Sequence, residues 1–233
     1  MRKALAKAVV VLSSGLDSAV NLAWGSRTFD LVSAVTFDYG QRARKQEIKG
    51  AKALSKHYHT PHHVIPLPHL AEWTGTSLVK TAKALPHHSI KTLDDKKKAT
   101  RSARAVWVPN RNGIFINMAG ALAESLGARI LIVGFNEEEG VTFPDNSAPF
   151  VNAINQSLSY STLNQVEVRC RTLTMNKKEI VRLGIELKLP FHLIWSCYEG
   201  NKTMCGTCES CLRLKRAAER VAPALLEVFS FAN

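Results

Sequence analysis

The run Ala8-Val9-Val10-Val11-Leu12 constrains this chain most, because an unbroken apolar stretch leaves no side for water. A strand of that kind is buried on both faces, as in a parallel sheet covered by helices. The turn Ser13-Ser14-Gly15-Leu16-Asp17-Ser18 follows and passes into AVNLAW, so the first unit reads as strand, tight turn and helix.

The same alternation continues. Leu31 to Phe37 is a second β-branched and aromatic run, and RARKQEIKGAKALSKHY carries the 3.6-residue period of an amphipathic helix. HHVIPL, ARILIVGF and QVEVRC read as three further strands, and NGIFINMAGALAESLG as a helix closing on Gly127. PFVNAINQSLSY and NKKEIVRLGIEL are helices, the second with Asn176 and Glu179 at capping-box spacing. Residues 68–104 lack a sustained period and contain a Lys run, which predicts a long mobile loop or lid. Strands alternating with helices predict an α/β fold, a doubly wound parallel sheet that binds ligands beyond the carboxyl ends of its strands. The expected organisation is a nucleotide-binding α/β domain over 1–190 and a C-terminal segment over 191–233.

The first turn lacks the Lys of a Walker A loop and the glycines of a dinucleotide fold. Its small residues nevertheless let the backbone approach an anion at the start of a helix. Ser13 and Ser18 can donate hydroxyls there, and Asp17 can hold Mg²⁺ or cap the helix. An excess of 31 Lys+Arg over 19 Asp+Glu gives a net charge of +12, which favours anionic partners, from nucleotides to nucleic acid. The basic clusters also read as solvated helix faces. No stretch approaches the length of a membrane span, and the cationic opening MRKALAK is followed by too short an apolar run for a signal peptide. A cytoplasmic location is expected.

Four of the five cysteines, Cys197, Cys205, Cys208 and Cys211, fall in the spacing C-x7-C-x2-C-x2-C. In a reducing compartment this points to a metal rather than to disulfides. Two C-x2-C steps put three thiolates on one knuckle and Cys197 completes a closed tetrahedral set, which suits one structural Zn²⁺, with an iron–sulfur cluster as the competitor. Cys170, on an alternating strand, reads as a small buried residue. His57, His59, His62, His63 and His69 lie at a helix end and strand start and read as surface groups. The four tryptophans, Trp24, Trp73, Trp107 and Trp195, read as packing or rim residues.

The hexapeptide after the first strand resembles the pyrophosphate loop, S-G-G-x-D-S, of the ATP pyrophosphatase superfamily, with Ser14 in the position usually held by Gly. With FDYGQR at 37–42, VPNRNGIF at 108–115, FPD at 143–145, KKEIVRLG at 177–184 and WSCYEG and CGTCESCLR at 195–213, nearly the whole chain resembles the 7-cyano-7-deazaguanine synthase family. The resemblance implies an adenine nucleotide alpha hydrolase-like fold with a C-terminal zinc-binding helical segment. It implies a C–N bond-forming ligase of queuosine precursor biosynthesis, a homodimer, that uses ATP with Mg²⁺. Such an enzyme adenylates 7-carboxy-7-deazaguanine, lets ammonia displace AMP to an amide, and activates the amide with a second ATP to give the nitrile (preQ0).

By the same resemblance Ser13, Gly15, Asp17 and Ser18 hold the ATP phosphates, Leu12, Ser14 and Leu16 complete the ATP-binding loop, and Asp38, Gln41 and Arg42 border the nucleotide. Asp17, Arg111 and Asp145 are the implied catalytic residues, and Arg111, Glu139 and Asp145 the implied substrate contacts, Asp145 pairing with the edge of a guanine-like base. The family pattern S-G-Y-P-D-C-R is altered here to Val141-Thr142-Phe143-Pro144-Asp145-Asn146-Ser147, which leaves a related deazapurine or another acceptor open as substrate. Two rivals fit parts of the chain: a tRNA-modifying enzyme of the superfamily, for which Cys170 would be the reactive thiol, and a non-enzymatic zinc-knuckle protein that binds nucleic acid.

Overall fold

The computed structural model describes residues 4–90, 93 and 95–232; Met1–Lys3 of the cationic opening, and Lys91, Thr92 and Asp94 within the 68–104 stretch, lie outside the described residues. In chain order the elements are β1 (Lys7–Val11), α1 (Leu16–Thr28), β2 (Asp30–Asp38), α2 (Arg44–His57), β3 (His62–Pro66), α3 (Pro68–Trp73) and α4 (Lys96–Val106). They continue with α5 (Arg111–Ser125), β4 (Ile130–Ile132), α6 (Glu137–Gly140), α7 (Ala148–Ser161), β5 (Glu167–Arg169), α8 (Lys177–Glu186), α9 (Glu209–Val221) and α10 (Leu225–Val228).

The strands form one parallel sheet in the order β3-β2-β1-β4-β5. Its central strand is the apolar run: Ala8, Val9 and Val10 are fully buried. The two-residue period sends Ala8, Val10 and Leu12 into a cluster with α1, α8 and α9, and Val9 and Val11 into another with α5 and α7. Helices thus cover both faces, and the doubly wound expectation holds. The chain winds outward from β1 through β2 to β3, then restarts on the other side at β4. The loops after β1 and β4 diverge at that switch point and open a crevice.

Local chemistry explains the helix ends near it. Asn176 accepts from the backbone N–H groups of Lys178 and Glu179 while Glu179 accepts from that of Asn176, the predicted capping box. Gly127, just past α5, is left-handed at φ +66°, as a helix-terminating glycine should be.

Within residues 68–104, expected to form a long mobile loop or lid, the described residues include two helices, α3 and α4. The Asp95 carboxylate caps α4 by accepting from the N–H groups of Lys97 and Lys98. Ser102, Ala103 and Val106 then bury one side of a helix whose other side is basic. Few apolar positions among many lysines and arginines concealed that period. Val106 joins Tyr39, Leu70, Leu78, Leu85 and Val108 in a third, smaller cluster. The segment after residue 190 packs into the first cluster through Cys197, Met204, Cys208, Cys211 and Leu214.

Candidate functional site

At the switch point lies a cavity of about 220 Å³, and its walls are the ends of β1, β2 and β4, the start of α5 and the segment 195–198. Leu12, Ser13, Gly15, Leu16, Asp17, Ser18, Arg111 and Glu139 line it. Across the cavity, Phe37 and Phe115 stack with ring centroids 4.2 Å apart, beside Tyr39 and Phe143, so one wall suits a flat ring.

The phosphate-type loop holds itself open with weak bonds. Ser13 N–H donates to Ser18 Oγ, Gly15 N–H to Ser13 Oγ and Leu16 N–H to Ser196 Oγ, each at 3.3 Å. These long bonds to neutral hydroxyls are ones that a phosphate oxygen would outcompete. Ser14 bends the chain at φ +62°, which accounts for the glycine usual at that position. Its carbonyl accepts from Trp195 N–H at 3.0 Å, so the cysteine-bearing segment braces the loop at Ser14 and again at Leu16.

Asp17 leads a charge chain that is buried at Asp17 and Lys177 and half-buried at Glu139. Its Oδ2 accepts from Lys177 Nζ at 2.6 Å and Asn136 Nδ2 at 2.8 Å, and Lys177 Nζ reaches Glu139 Oε1 at 2.8 Å. Burial pushes the Asp17 carboxyl above the usual aspartate range, with Lys177 opposing. Burial also works against charge on Lys177, but Asp17 and Glu139 outweigh it and hold the ammonium above the usual lysine range. For Glu139 the pull of Lys177 overcomes burial and holds the carboxyl low. Asp17 Oδ1 is buried without a hydrogen-bond partner among the described residues, an acceptor in the cavity wall left for a cation or donor.

Arg111 opens α5 and donates to the Tyr39 hydroxyl at 3.4 Å. Burial opposes its charge, and Tyr39 and Asp145 sustain it. Asp145 stands on the turn Pro144–Asn146, and its backbone carbonyl accepts from Asn112 Nδ2. Burial raises its carboxyl against the pull of Arg111.

Ser14, Asp38, Gln41, Arg42 and Asp145 are not among the cavity-lining residues described. Gln41 is committed internally: it accepts from Tyr39 N–H and donates to Phe37 O and Glu47 Oε2. Arg42 is turned toward the segment after α3, donating to the carbonyls of Lys80, Thr81 and Lys83, and faces Glu199 at 3.7 Å. Asp38 Oδ1 accepts from Gly40 N–H, closing the turn after β2.

Sequence reasoning missed three residues here. Lys177 was legible only as part of a helix start, yet it is buried and bridges two acids. Asn136, fully buried, ties Asp17 to α6 by also accepting from Glu139 N–H. Gly134 sits so close that a Cβ there would lie 2.5 Å from Ser18 N; a glycine directly after an apolar strand was the available signal.

The sulfur atoms of Cys197, Cys205, Cys208 and Cys211 lie within 4.8 Å of one another, and this set could hold a metal ion. Cys205 and Cys211 Sγ are 3.9 Å apart. Four ligands at a metal–sulfur distance of about 2.3 Å in tetrahedral array require roughly 3.8 Å between sulfurs. The N–H groups of Glu199 and Cys205 donate to Cys197 Sγ, and that of Cys208 to Cys205 Sγ, each at 3.3 Å, which favours thiolates. Gly206 turns the knuckle at φ +73°. Cys170 stands apart: its thiol donates to Phe135 O, its sulfur accepts from Phe135 N–H, and burial pushes its pKa up, away from a ready nucleophile. The five histidines form no such set among the described residues; His62 hydrogen-bonds Thr36. No helix among the described residues is long and apolar enough to cross a membrane.

The family profile described as Queuosine biosynthesis protein QueC matches residues 7–222. The chain is 53% identical over 211 residues, 91% of this chain and 97% of the other, to the 7-cyano-7-deazaguanine synthase of Carboxydothermus hydrogenoformans. It is 51% identical over 213 residues, 91% of this chain and 96% of the other, to the 7-cyano-7-deazaguanine synthase of Pelotomaculum thermopropionicum. Among solved structures, NMN synthetase from Francisella tularensis aligns with a TM-score of 0.44 and 16% identity over 94% of this chain and 86% of that one. The phosphate-type loop near the start of the sequence and Cys197, the first cysteine of the knuckle near its end, thus line one cavity, and with the profile match over nearly its whole length the chain belongs to the queuosine biosynthesis protein QueC family.

Proposed function

We propose that this chain is a 7-cyano-7-deazaguanine synthase, a ligase that converts 7-carboxy-7-deazaguanine and ammonia to the nitrile with ATP. The carrying observation is the single cavity in which the Ser13–Ser18 loop, Arg111, the aromatic wall and the Asp17–Lys177–Glu139 chain converge. The substrate carboxylate attacks the α-phosphorus and pyrophosphate leaves. Ammonia then attacks the acyl carbon, and AMP leaves with the amide formed. In the second round the amide oxygen attacks the α-phosphorus of another ATP and pyrophosphate leaves, and loss of AMP with the two amide protons then gives the nitrile.

The chain's own residues contribute placement and charge. The amides of Ser13, Gly15 and Leu16 exchange hydroxyl partners for phosphate oxygens, with the start of α1 aimed at the same anion. Arg111, a planar cation sustained by its neighbours, faces the substrate carboxylate or the α-phosphate as charge builds. Phe37, Phe115 and Phe143 pack against the flat base. Asp145, beside Arg111 rather than on the cavity wall, reaches the base edge only if the Pro144–Asn146 turn moves inward on binding.

Two metals belong to this reading. Mg²⁺ fits the unpartnered Oδ1 of Asp17 and would neutralise charge on the departing pyrophosphate. Zn²⁺ fits the four thiolates and would cross-link residues 197–211 where they brace the phosphate loop. Residues 1–190 carry the nucleotide chemistry and 191–233 complete the cavity wall. A cytoplasmic location, which keeps the thiols reduced, and a homodimer complete the proposal; light scattering tests the dimer.

The test is mass spectrometry of purified protein with ATP, Mg²⁺, ammonium and 7-carboxy-7-deazaguanine, following the base and AMP. The nitrile appears, and Asp17→Ala abolishes it. AMP without nitrile would redirect the reading to another acceptor, and no AMP would overturn it.

A further inference from the structure

The first N–H groups of a helix have no partner within it, and α8 satisfies its own in two ways. Asn176 takes the second and third, while the first, that of Lys177, donates at 2.9 Å to Oε1 of Glu138 on α6. Lys177 is therefore held at both ends: its backbone by Glu138, its ammonium by Asp17 and Glu139.

Glu138 is held in turn. Its Oε2 accepts from Arg213 NH1 at 2.7 Å and from Arg216 NH2 at 3.4 Å, both on α9. Arg213 is 7% exposed and Glu209 5%. The Nε and NH2 of Arg213 both donate to Glu209 Oε1, and Glu209 Oε2 accepts from Ser102 Oγ on α4. The start of α9 is fixed by the knuckle, because Cys208 is its N-cap and Cys211 lies in its first turn. An unbroken run of bonds thus leads from the cysteine-bearing helix through Arg213 and Glu138 to Lys177 and Asp17.

We propose that Glu138 and Arg213 are positioning residues for the reaction: together they carry the place of α9 to Lys177 and so set its ammonium against Asp17. The proposal rests on the reading of Asp17 given above. Glu138, half-buried, can be changed without leaving a buried charge unpaired, since Arg213 keeps Glu209. Nucleotide binding depends on the Ser13–Ser18 amides, which Glu138 does not touch, so loss of Glu138 acts on turnover rather than on ground-state affinity.

The experiment compares full-length, metal-loaded wild type with Glu138→Ala, Glu138→Gln and Arg213→Lys, measuring AMP formation, melting temperature, metal content and hydrogen exchange of the Lys177 amide without substrates. In Glu138→Ala we expect kcat to fall on the order of 10- to 100-fold, the penalty of a catalytic group displaced by about 1 Å, with KM for ATP within about twofold. The Lys177 amide exchanges about tenfold faster, and metal content and melting temperature are retained. Glu138→Gln keeps an acceptor for the amide and restores its protection with part of kcat. Arg213→Lys, which cannot fork between Glu138 and Glu209, behaves like a milder Glu138→Ala. Unchanged exchange in Glu138→Ala, or kcat within twofold of wild type, overturns the proposal, as does a loss of kcat that only follows the fraction of unfolded protein. Asp17→Ala, run in parallel, separates the two ideas: if it still forms AMP, the reading of the site fails, while the exchange measurement judges the Glu138 link by itself.

Discussion

Ser14 puts a side chain where the backbone wants none, and removing that side chain should stabilise the protein. It sits at φ +62°, a conformation that costs a residue with a Cβ roughly 1–2 kcal/mol, and its buried hydroxyl has no partner among the described residues, worth about 1–3 kcal/mol more. Against this, glycine adds about 0.5–1 kcal/mol of unfolded-state freedom and forfeits the packing of one carbon. Ser14→Gly is therefore expected to gain about 1 kcal/mol, or roughly 2–4 °C in melting temperature for a chain of this size.

The partner in this contact is Gly50 on α2. A Cβ there would lie 2.7 Å from Ser14 Oγ, 2.8 Å from Ser14 Cβ and 2.9 Å from Leu193 O. Gly50→Ala alone should cost up to about 2 kcal/mol, as an overpacking penalty of about 1–3 kcal/mol is offset by the ~1 kcal/mol that alanine gains over glycine in a helix. With Ser14→Gly already in place two of the three clashes vanish, so the substitutions should couple by about 1 kcal/mol. Urea denaturation of the four proteins of the cycle at equal metal content measures this. A lower melting temperature for Ser14→Gly, or additivity within about 0.3 kcal/mol, would refute the reasoning.

Gly134→Ala drives a methyl into Ser18 N and Cα, at 2.5 and 2.6 Å, both backbone; ATP-dependent AMP formation should fall by about 100-fold or more, checked by a coupled pyrophosphate assay. Arg111→Met removes the cation facing the proposed reacting groups and should cost about 3 kcal/mol in kcat/KM, or roughly 100-fold, in the same assay. Chelation of the knuckle metal should lower the melting temperature and change the fluorescence of Trp195, whose indole donates to Cys197 O at 3.0 Å; elemental analysis should give about one metal per chain beforehand. Because the folded Glu139 carboxyl is held low, chiefly by Lys177 against burial, its contribution to stability is present above the ordinary glutamate pKa of about 4.3 and is lost as pH falls through the folded value. Glu139→Gln should accordingly flatten that part of the acid limb in a stability-versus-pH series.

How much could be read in advance depended on distance along the chain. Strands such as Ala8–Leu12, the Asn176–Glu179 capping box and the terminating Gly127 are written within a few neighbouring residues, where steric preference and periodicity act, and they stand as expected. The cysteine knuckle was equally legible, since its C-x2-C steps are local and the sulfurs gather as the spacing suggests. α4 escaped because its buried positions are too few to outweigh its lysines and arginines.

The site itself was only half visible. Ser13, Gly15, Asp17, Ser18 and Arg111 come to one cavity, while Gln41 and Arg42, in the turn after β2, bond neighbouring backbone and, for Gln41, Glu47. Lys177 meets Asp17 across 160 positions, and Glu138 meets Arg213 across 75. The sequence alone determined the five strands and most of the longer helices, where a small-residue turn follows the first strand and where a metal can sit, because those properties follow from adjacent residues. Which charges face one another was left to the winding of the sheet, because Coulomb and hydrogen-bond partners are chosen by proximity in space and leave no period along the chain.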